Sequence, residues 1–316
     1  ELTPATTHVM QQIISETFDN ETLVIISGGI SSSQVFANLS FGHLLFTGST
    51  AVGRKIAEVA TRNLVPTTLE LSGKSPAIVT DSFNLDEAAK RIMWGKSFNG
   101  GQTCIAPDYV FIPETKLIEF VRACRQAVTS FFPNGIDCDD YTSVINTQHN
   151  ARLRALADDA KAKGYEVLPL AEECTNPETP NKIPPTLIIN PGKDARIYED
   201  EVFGPLLSVF TYRDLDHAIE DIQGFEDPLA LYVFSKHKPE IRHISRSIHA
   251  GGVTVNDTLL HYQQHDLPFG GVGSSGSGKY HGKEGFAAFS NKQATIQQRG
   301  FGHFTGLKLI YPPYNK

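Results

Sequence analysis

The sequence predicts an α/β protein in which parallel sheets are covered by helices, built as two successive units. Three observations carry this. Short apolar runs bounded by turn residues alternate with amphipathic stretches along most of the chain. The connections between them are short, as strand–helix–strand crossovers require. With 316 residues, 40% hydrophobic and 20% charged, the chain can bury more than one core.

The elements follow in order. Leu2 to Thr17 reads as a helix headed by Thr3-Pro4, and Leu23 to Ser27 as a short buried strand. Leu44 to Thr47 is a second strand, followed at once by a helix over 49–62 with a Ser/Thr cap and Val52, Ile56, Val59 and Ala60 on one face. Thr67 to Leu71 is a third strand. After the turn Ser72 to Pro76 the pattern restarts: strand 77–80, helix 86–98, strand 109–112, then helices 114–132 and 148–163. Strands follow at 165–168, 186–189, 206–212, 229–234 and 252–255, with helices near 214–222 and 238–248. The Pro-, Asn- and Glu-rich loop 172–185 is expected to be exposed, and glycine and serine dominate from Leu267.

Composition excludes several classes. Lys and Arg number 28 against 35 Asp and Glu, a net charge of −7, so no chain-wide attraction draws it to nucleic acid or an anionic membrane. Apolar runs such as Leu23-Val24-Ile25-Ile26 are far too short to span a bilayer. Cys104, Cys124, Cys138 and Cys174 are too scattered for a disulfide framework, and a reducing cytoplasm is the expected location. His261-x-x-x-His265 has no Cys or helically spaced Glu beside it, so it reads as polar surface rather than a metal site.

Two glycine segments imitate phosphate loops. Gly48 to Lys55 lies between strand and helix, but Arg54 and Lys55 occupy the Lys and Ser/Thr positions that the P-loop needs. The helix start still gathers free N–H groups that suit a pyrophosphate, so cofactor binding and an ordinary turn both stay open. Gly273 to Tyr280 has its lysine but no leading strand, and reads as a glycine-rich turn near a surface.

The cysteines separate by surroundings. Cys124 shares an apolar helix face with Phe120, Val128 and Phe131, a core position, whereas carboxylates flank Cys138 and Cys174 and suppress a thiolate. Cys104 follows Asn99-Gly100-Gly101-Gln102-Thr103, a loop able to aim backbone N–H groups at a ligand, so a nucleophile and a small buried residue are both consistent with it. Glu70 ends an apolar strand before Ser72-Gly73-Lys74-Ser75-Pro76. It is a general base in a cleft or a salt-bridged strand end.

Together these pieces resemble the aldehyde dehydrogenase superfamily, in particular the class 3 branch that includes coniferyl aldehyde dehydrogenases. The resemblance rests on Phe46 to Gly53, Glu70 to Pro76, Asn99 to Cys104 and Glu201-Val-Phe-Gly-Pro205, in the family's order and spacing. Leu267 to Gly273, Tyr280 to Lys283 and Phe289-Ser290 resemble the class 3 C-terminal region. The resemblance implies a partial Rossmann-type cofactor domain (1–72), a catalytic domain (73–282) and a C-terminal segment (283–316) returning to the cofactor domain or a subunit interface. It implies Cys104 as nucleophile and Glu70 as general base. It also implies NAD, with NADP as a possible substitute, bound through Glu1, Gly48, Ser49, Thr50, Val52, Gly53, Leu71, Glu201 and Phe203. Its further implications are a small aromatic or medium-chain aldehyde as substrate and a homodimer. The family's lysine before Glu1, its oxyanion-hole asparagine and the first half of its cofactor domain have no counterpart in these residues. The expectation is therefore a fragment that is inactive or nearly so by itself. A phosphate-binding P-loop-like enzyme and a non-catalytic protein with a dehydrogenase fold are the competing readings.

Overall fold

The computed structural model of the chain describes residues 1–177, 179, 181–297, 312 and 314. Two helices open it, α1 (Pro4–Thr17) and α2 (Ile30–Ala37). Between them the expected strand 23–27 does not form. Val24 and Ile26 are exposed, and a run with no neighbouring ladder leaves its backbone groups to water. The turn is tied instead through Gln11 Nε2, which donates to the Ile25 carbonyl. The serine-rich α2 had no helical signature in sequence.

The small sheet follows. Strand β1 (Leu44–Gly48) runs parallel to β2 (Thr67–Leu71), with α3 (Thr50–Arg62) crossing between them. The Ser49 side chain caps α3 by accepting from the Val52 N–H.

The large sheet has seven strands: β3 (Pro76–Val79), β4 (Tyr109–Pro113), β5 (Glu166–Pro169), β6 (Thr186–Ile189), β7 (Leu206–Tyr212), β8 (Ala230–Phe234) and β9 (Gly252–Val255). Their order is β5-β6-β7-β4-β3-β8-β9, parallel throughout except for β5 against β6. The central strands are apolar at almost every position because both faces are covered. One face takes α4 (Leu85–Ser97) and α5 (Leu117–Phe131), where Ile92, Met93, Phe120 and Val128 meet Val110 and Ile112. Helix α6 (Thr147–Ala162) and the single turn α7 (Arg196–Glu199) pack together near β6, around Leu153, Ile188 and Ile197. The opposite face takes α8 (Leu215–Gln223) and α9 (Lys238–Ser247), which pack Ile219, Ile222 and Ile244 on Ile78, Phe111 and Leu231. The expected helix 114–132 begins as a 3₁₀ turn over Glu114–Lys116.

Short elements finish the described chain: α10 (Leu260–Gln263), β10 (Gly276–Ser277) and α11 (Gly282–Ala288). β10 adds antiparallel to β2, so the glycine-rich run is part of the small sheet rather than a free surface turn. The loop 172–185 is only half exposed. Glu172 and Glu173 face solvent, but Lys182 and Ile183 are buried, and Tyr141 donates to the Ile183 carbonyl at 2.6 Å. Residues 178 and 180 of that loop, and most of the expected 283–316 segment beyond 297, lie outside the described residues. Among the described residues no helix is long and apolar enough to cross a membrane.

Candidate active site

The registers set the location. The turns that lead into β3, β4, β7 and β8 lie at the amino ends of neighbouring parallel strands, and the carboxyl end of β2 runs straight into the first of them. Glu70, one residue from the end of β2, is therefore brought to the turn holding Cys104, ahead of β4, and to the turn holding Glu201, ahead of β7.

The Cys104 turn needs unusual backbone. Asn99, Gly100 and Gly101 have φ of 53°, 61° and 75°, three successive left-handed residues. A Cβ on Gly101 would sit 2.2 Å from the Gly204 carbonyl oxygen, so its hydrogen lets the Cys104 turn lie directly on the Glu201–Pro205 turn. The backbone N–H groups of Cys104 and Ile105 point at the Cys104 sulfur. Burial, and then the charges of Glu70 and Glu201, push its thiol up to about 12. Unaided, Cys104 is a neutral thiol at physiological pH.

Glu70 is 2% exposed. Burial pushes its carboxyl up to about 7, against the pull of Lys279 and of a hydrogen bond from the Gly271 N–H. Its Oε1 is buried with no hydrogen-bond partner among the described residues. Glu201 is also pushed up to about 7, by burial and then by Asp108, but its carboxylate accepts from the Ser72 hydroxyl and the Gly73 N–H. Both carboxyls face the thiol, and the Oε1 of Glu70 is free to take a proton.

A buried ion pair fixes this arrangement from beneath. Lys74 pairs with Asp108 and donates to the carbonyls of Ile197 (3.1 Å) and Asp200 (2.9 Å). Asp108 accepts from the Val202 N–H at 2.8 Å, and Arg152 donates to the carbonyls of Glu201 and Val202. Phe203 sits exposed at φ 44°, a strained conformation held by these contacts. Fully buried Lys96 is pulled down to about 8 by burial, opposed by Asp108. None of Lys74, Lys96, Asp108 and Arg152 was singled out in sequence. The signal available was Lys74 inside a motif and Asp108 four residues after Cys104.

The remaining expected residues fall around this centre. Gly48, Ser49, Thr50 and Val52 form the amino end of α3. A Cβ on Gly53 would come 2.3 Å from Leu71, so glycine lets the helix start close in beside the end of β2. Thr50 donates to the Ser274 carbonyl at 3.3 Å, joining this helix start to the glycine-rich hairpin. Glu1 is not brought in. It is exposed ahead of α1, which buries none of its residues. The histidine pair also departs from expectation. His265 is exposed, but His261 is half-buried beside Tyr232 and Phe269, bonded to Thr254, and pushed down to about 4 by burial.

The profile of the aldehyde dehydrogenase family matches residues 1–295. The chain belongs to that family. It is 43% identical over all of its 316 residues to a Pseudomonas aeruginosa protein named as a probable coniferyl aldehyde dehydrogenase, of which it covers 65%. It is 42% identical over 96% of its length to a coniferyl aldehyde dehydrogenase of a Pseudomonas species, of which it covers 63%. The chain thus spans about 65% of the length of the curated relatives it matches. Among solved structures, a Staphylococcus aureus AldH in a substrate-bound state superimposes with a TM-score of 0.87 at 37% identity, covering 98% of this chain and 67% of that one. A Mycobacterium tuberculosis aldehyde dehydrogenase complexed with NAD+ gives 0.85 at 25% identity, covering 95% and 62%.

Proposed function

We propose that the protein oxidises an aldehyde to its carboxylic acid with a nicotinamide cofactor, using Cys104 as nucleophile and Glu70 as base. The observation that carries this reading is the convergence of a half-buried thiol and a buried carboxyl with a free oxygen, from motifs 34 positions apart, on one strand-end site. Family membership supports the same chemistry.

Glu70 takes the Cys104 thiol proton as sulfur bonds to the aldehyde carbon, giving a thiohemiacetal. The backbone N–H groups beside Cys104 are donors for the developing oxyanion. The C–H bond then breaks with its electron pair leaving as hydride, the carbonyl re-forms, and a thioester remains on Cys104. Glu70, reset to carboxylate, removes a proton from water. The new C–O bond forms, the C–S bond breaks, and the acid departs.

The residues present fit a dinucleotide. The amino end of α3, kept close by Gly53, suits a pyrophosphate at Ser49 and Thr50, and buried Glu201 suits the hydroxyls of the nicotinamide ribose, with Phe203 beside the ring. Bound there, the cofactor accepts the hydride. NAD is preferred over NADP in this reading, supported by the structural neighbour complexed with NAD+; Glu1, exposed ahead of α1, contributes nothing to that preference. A dog relative at 37% identity is named as dimeric and NADP-preferring, so equal kcat/KM for the two cofactors would overturn the preference. The relatives named for coniferyl aldehyde support an aromatic substrate. A homodimer is the assembly that goes with this reading.

The test, made on a protein as long as the curated relatives, is NADH formation across a panel of aromatic and medium-chain aldehydes. Cys104→Ala should abolish it, while Cys138→Ala and Cys174→Ala leave it near wild type. Substantial turnover in Cys104→Ala would end the proposal.

A further inference from the structure

The glycine-rich run that sequence treated as a turn forms a hairpin against the proposed base. Its base is closed by Phe269 and Tyr280, each donating to the other's carbonyl at 2.8 and 2.7 Å. Its tip supplies β10, in which Gly276 pairs with Glu70 itself. Between these lies Lys279, half-buried, whose ammonium reaches across the hairpin to the Gly270 carbonyl and outward to the Gly251 carbonyl at 3.0 Å. The backbone here has no slack. A Cβ on Gly270 would meet the Gly278 carbonyl at 2.4 Å, and one on Gly271 the Ser275 carbonyl at 2.0 Å.

We propose that Lys279 is a positioning residue for Glu70: by tying the Gly251 and Gly270 carbonyls it holds the hairpin whose Gly276 pairs with Glu70, and with it the Gly271 backbone beside that carboxyl. This rests on Glu70 acting as the base, as proposed above. Among the described residues the groups facing Glu70 are few. From the hairpin come Lys279, the Gly271 N–H and the Tyr280 hydroxyl, and from the turn before β4 comes the Cys104 thiol, with Glu201 beyond it. Tyr280 and Cys104 are neutral at physiological pH, both pushed upward by burial. With Oε1 unpartnered, Lys279 and the Gly271 N–H are what oppose burial at Glu70.

The test compares Lys279→Met, Lys279→Gln and Lys279→Arg with wild type. Two readouts are taken: the pH profile of kcat, and an infrared titration of the carboxyl band that disappears in Glu70→Gln. In Lys279→Met the Glu70 midpoint and the acid limb of kcat should rise together by about one pH unit, cutting kcat about tenfold on the acid limb and little above about pH 9. KM should change little. Lys279→Arg should restore both, and Lys279→Gln, which keeps donors but no charge, should lie between. A Glu70 midpoint in Lys279→Gln and Lys279→Met equal to wild type would overturn the proposal, as would a kcat lowered equally at every pH. The infrared titration needs no turnover. A wild-type protein inactive on every aldehyde would therefore count against the proposed function, while the midpoints still decide the role of Lys279.

Discussion

At the residue scale the centre is expensive to fold, and that cost is measurable. Glu70 is raised from 4.5 to about 7 by burial. Below the unfolded value it is protonated in both states and carries no penalty. As pH rises through the interval between the two values, the unfolded chain ionises more readily than the folded one. Folding stability then falls by on the order of 3 kcal/mol and stays reduced above the folded value. Glu70→Gln should remove that dependence, so urea unfolding at about pH 8 should find the variant more stable than wild type while its turnover drops roughly 10²–10⁴-fold. Parallel stability–pH curves for the two proteins would contradict the burial argument. Cys104 gives a companion prediction. Its thiol is pushed up to about 12 by burial and by two carboxyls, so alkylation by iodoacetamide should be slow at neutral pH and climb steeply under alkaline conditions. Glu201→Gln removes one of those carboxyls and should speed the reaction at every pH above neutral. Peptide mass spectrometry on the segment holding Cys104 reads both rates.

At the scale of elements the site depends on two devices: left-handed backbone before Cys104, and the Lys74–Asp108 pair beneath it. Gly101→Ala must place a methyl against the Gly204 carbonyl at positive φ, and should cost on the order of 2–3 kcal/mol in stability and most of the activity. An active, equally stable Gly101→Ala protein would mean that the two turns do not touch as described. Asp108→Ala leaves Lys74 buried and opposite no anion of its own, and frees the Val202 N–H. Its expected cost is about 3–5 kcal/mol, read by denaturant titration. The same variant should weaken cofactor binding more than Asp216→Ala, a change on an exposed face of α8.

For the whole molecule, the large sheet was legible because its strands are buried on both faces and three of its helices, capped by Asn84, Asn146 and Asp214, start within one residue of the expected positions. Cys104, Glu70 and Glu201 were legible as motifs. What escaped had no local signal. The run 23–27 is apolar enough for a strand but finds no partner among the described residues, and β10 is two residues of glycine and serine whose pairing is decided by β2. The exposed reading of 172–185 failed at Lys182, which spends its charge on the Cys138 carbonyl, and His261 is half-buried because an aromatic cluster closes over it. Lys279 and Asp108 act on the site through folding, over 209 and 38 positions from Glu70, and only three-dimensional structure could bring them there. The central claim is that Cys104 carries the acyl group and Glu70 releases it. Incubating Glu70→Gln with an aromatic aldehyde and NAD, then taking intact and peptide mass spectra, tests it most directly. A gain of one acyl group, mapped to Cys104 and absent from Cys104→Ala, is the predicted result. Wild-type turnover in Glu70→Gln with no adduct, or an adduct on Cys138 or Cys174, would contradict it.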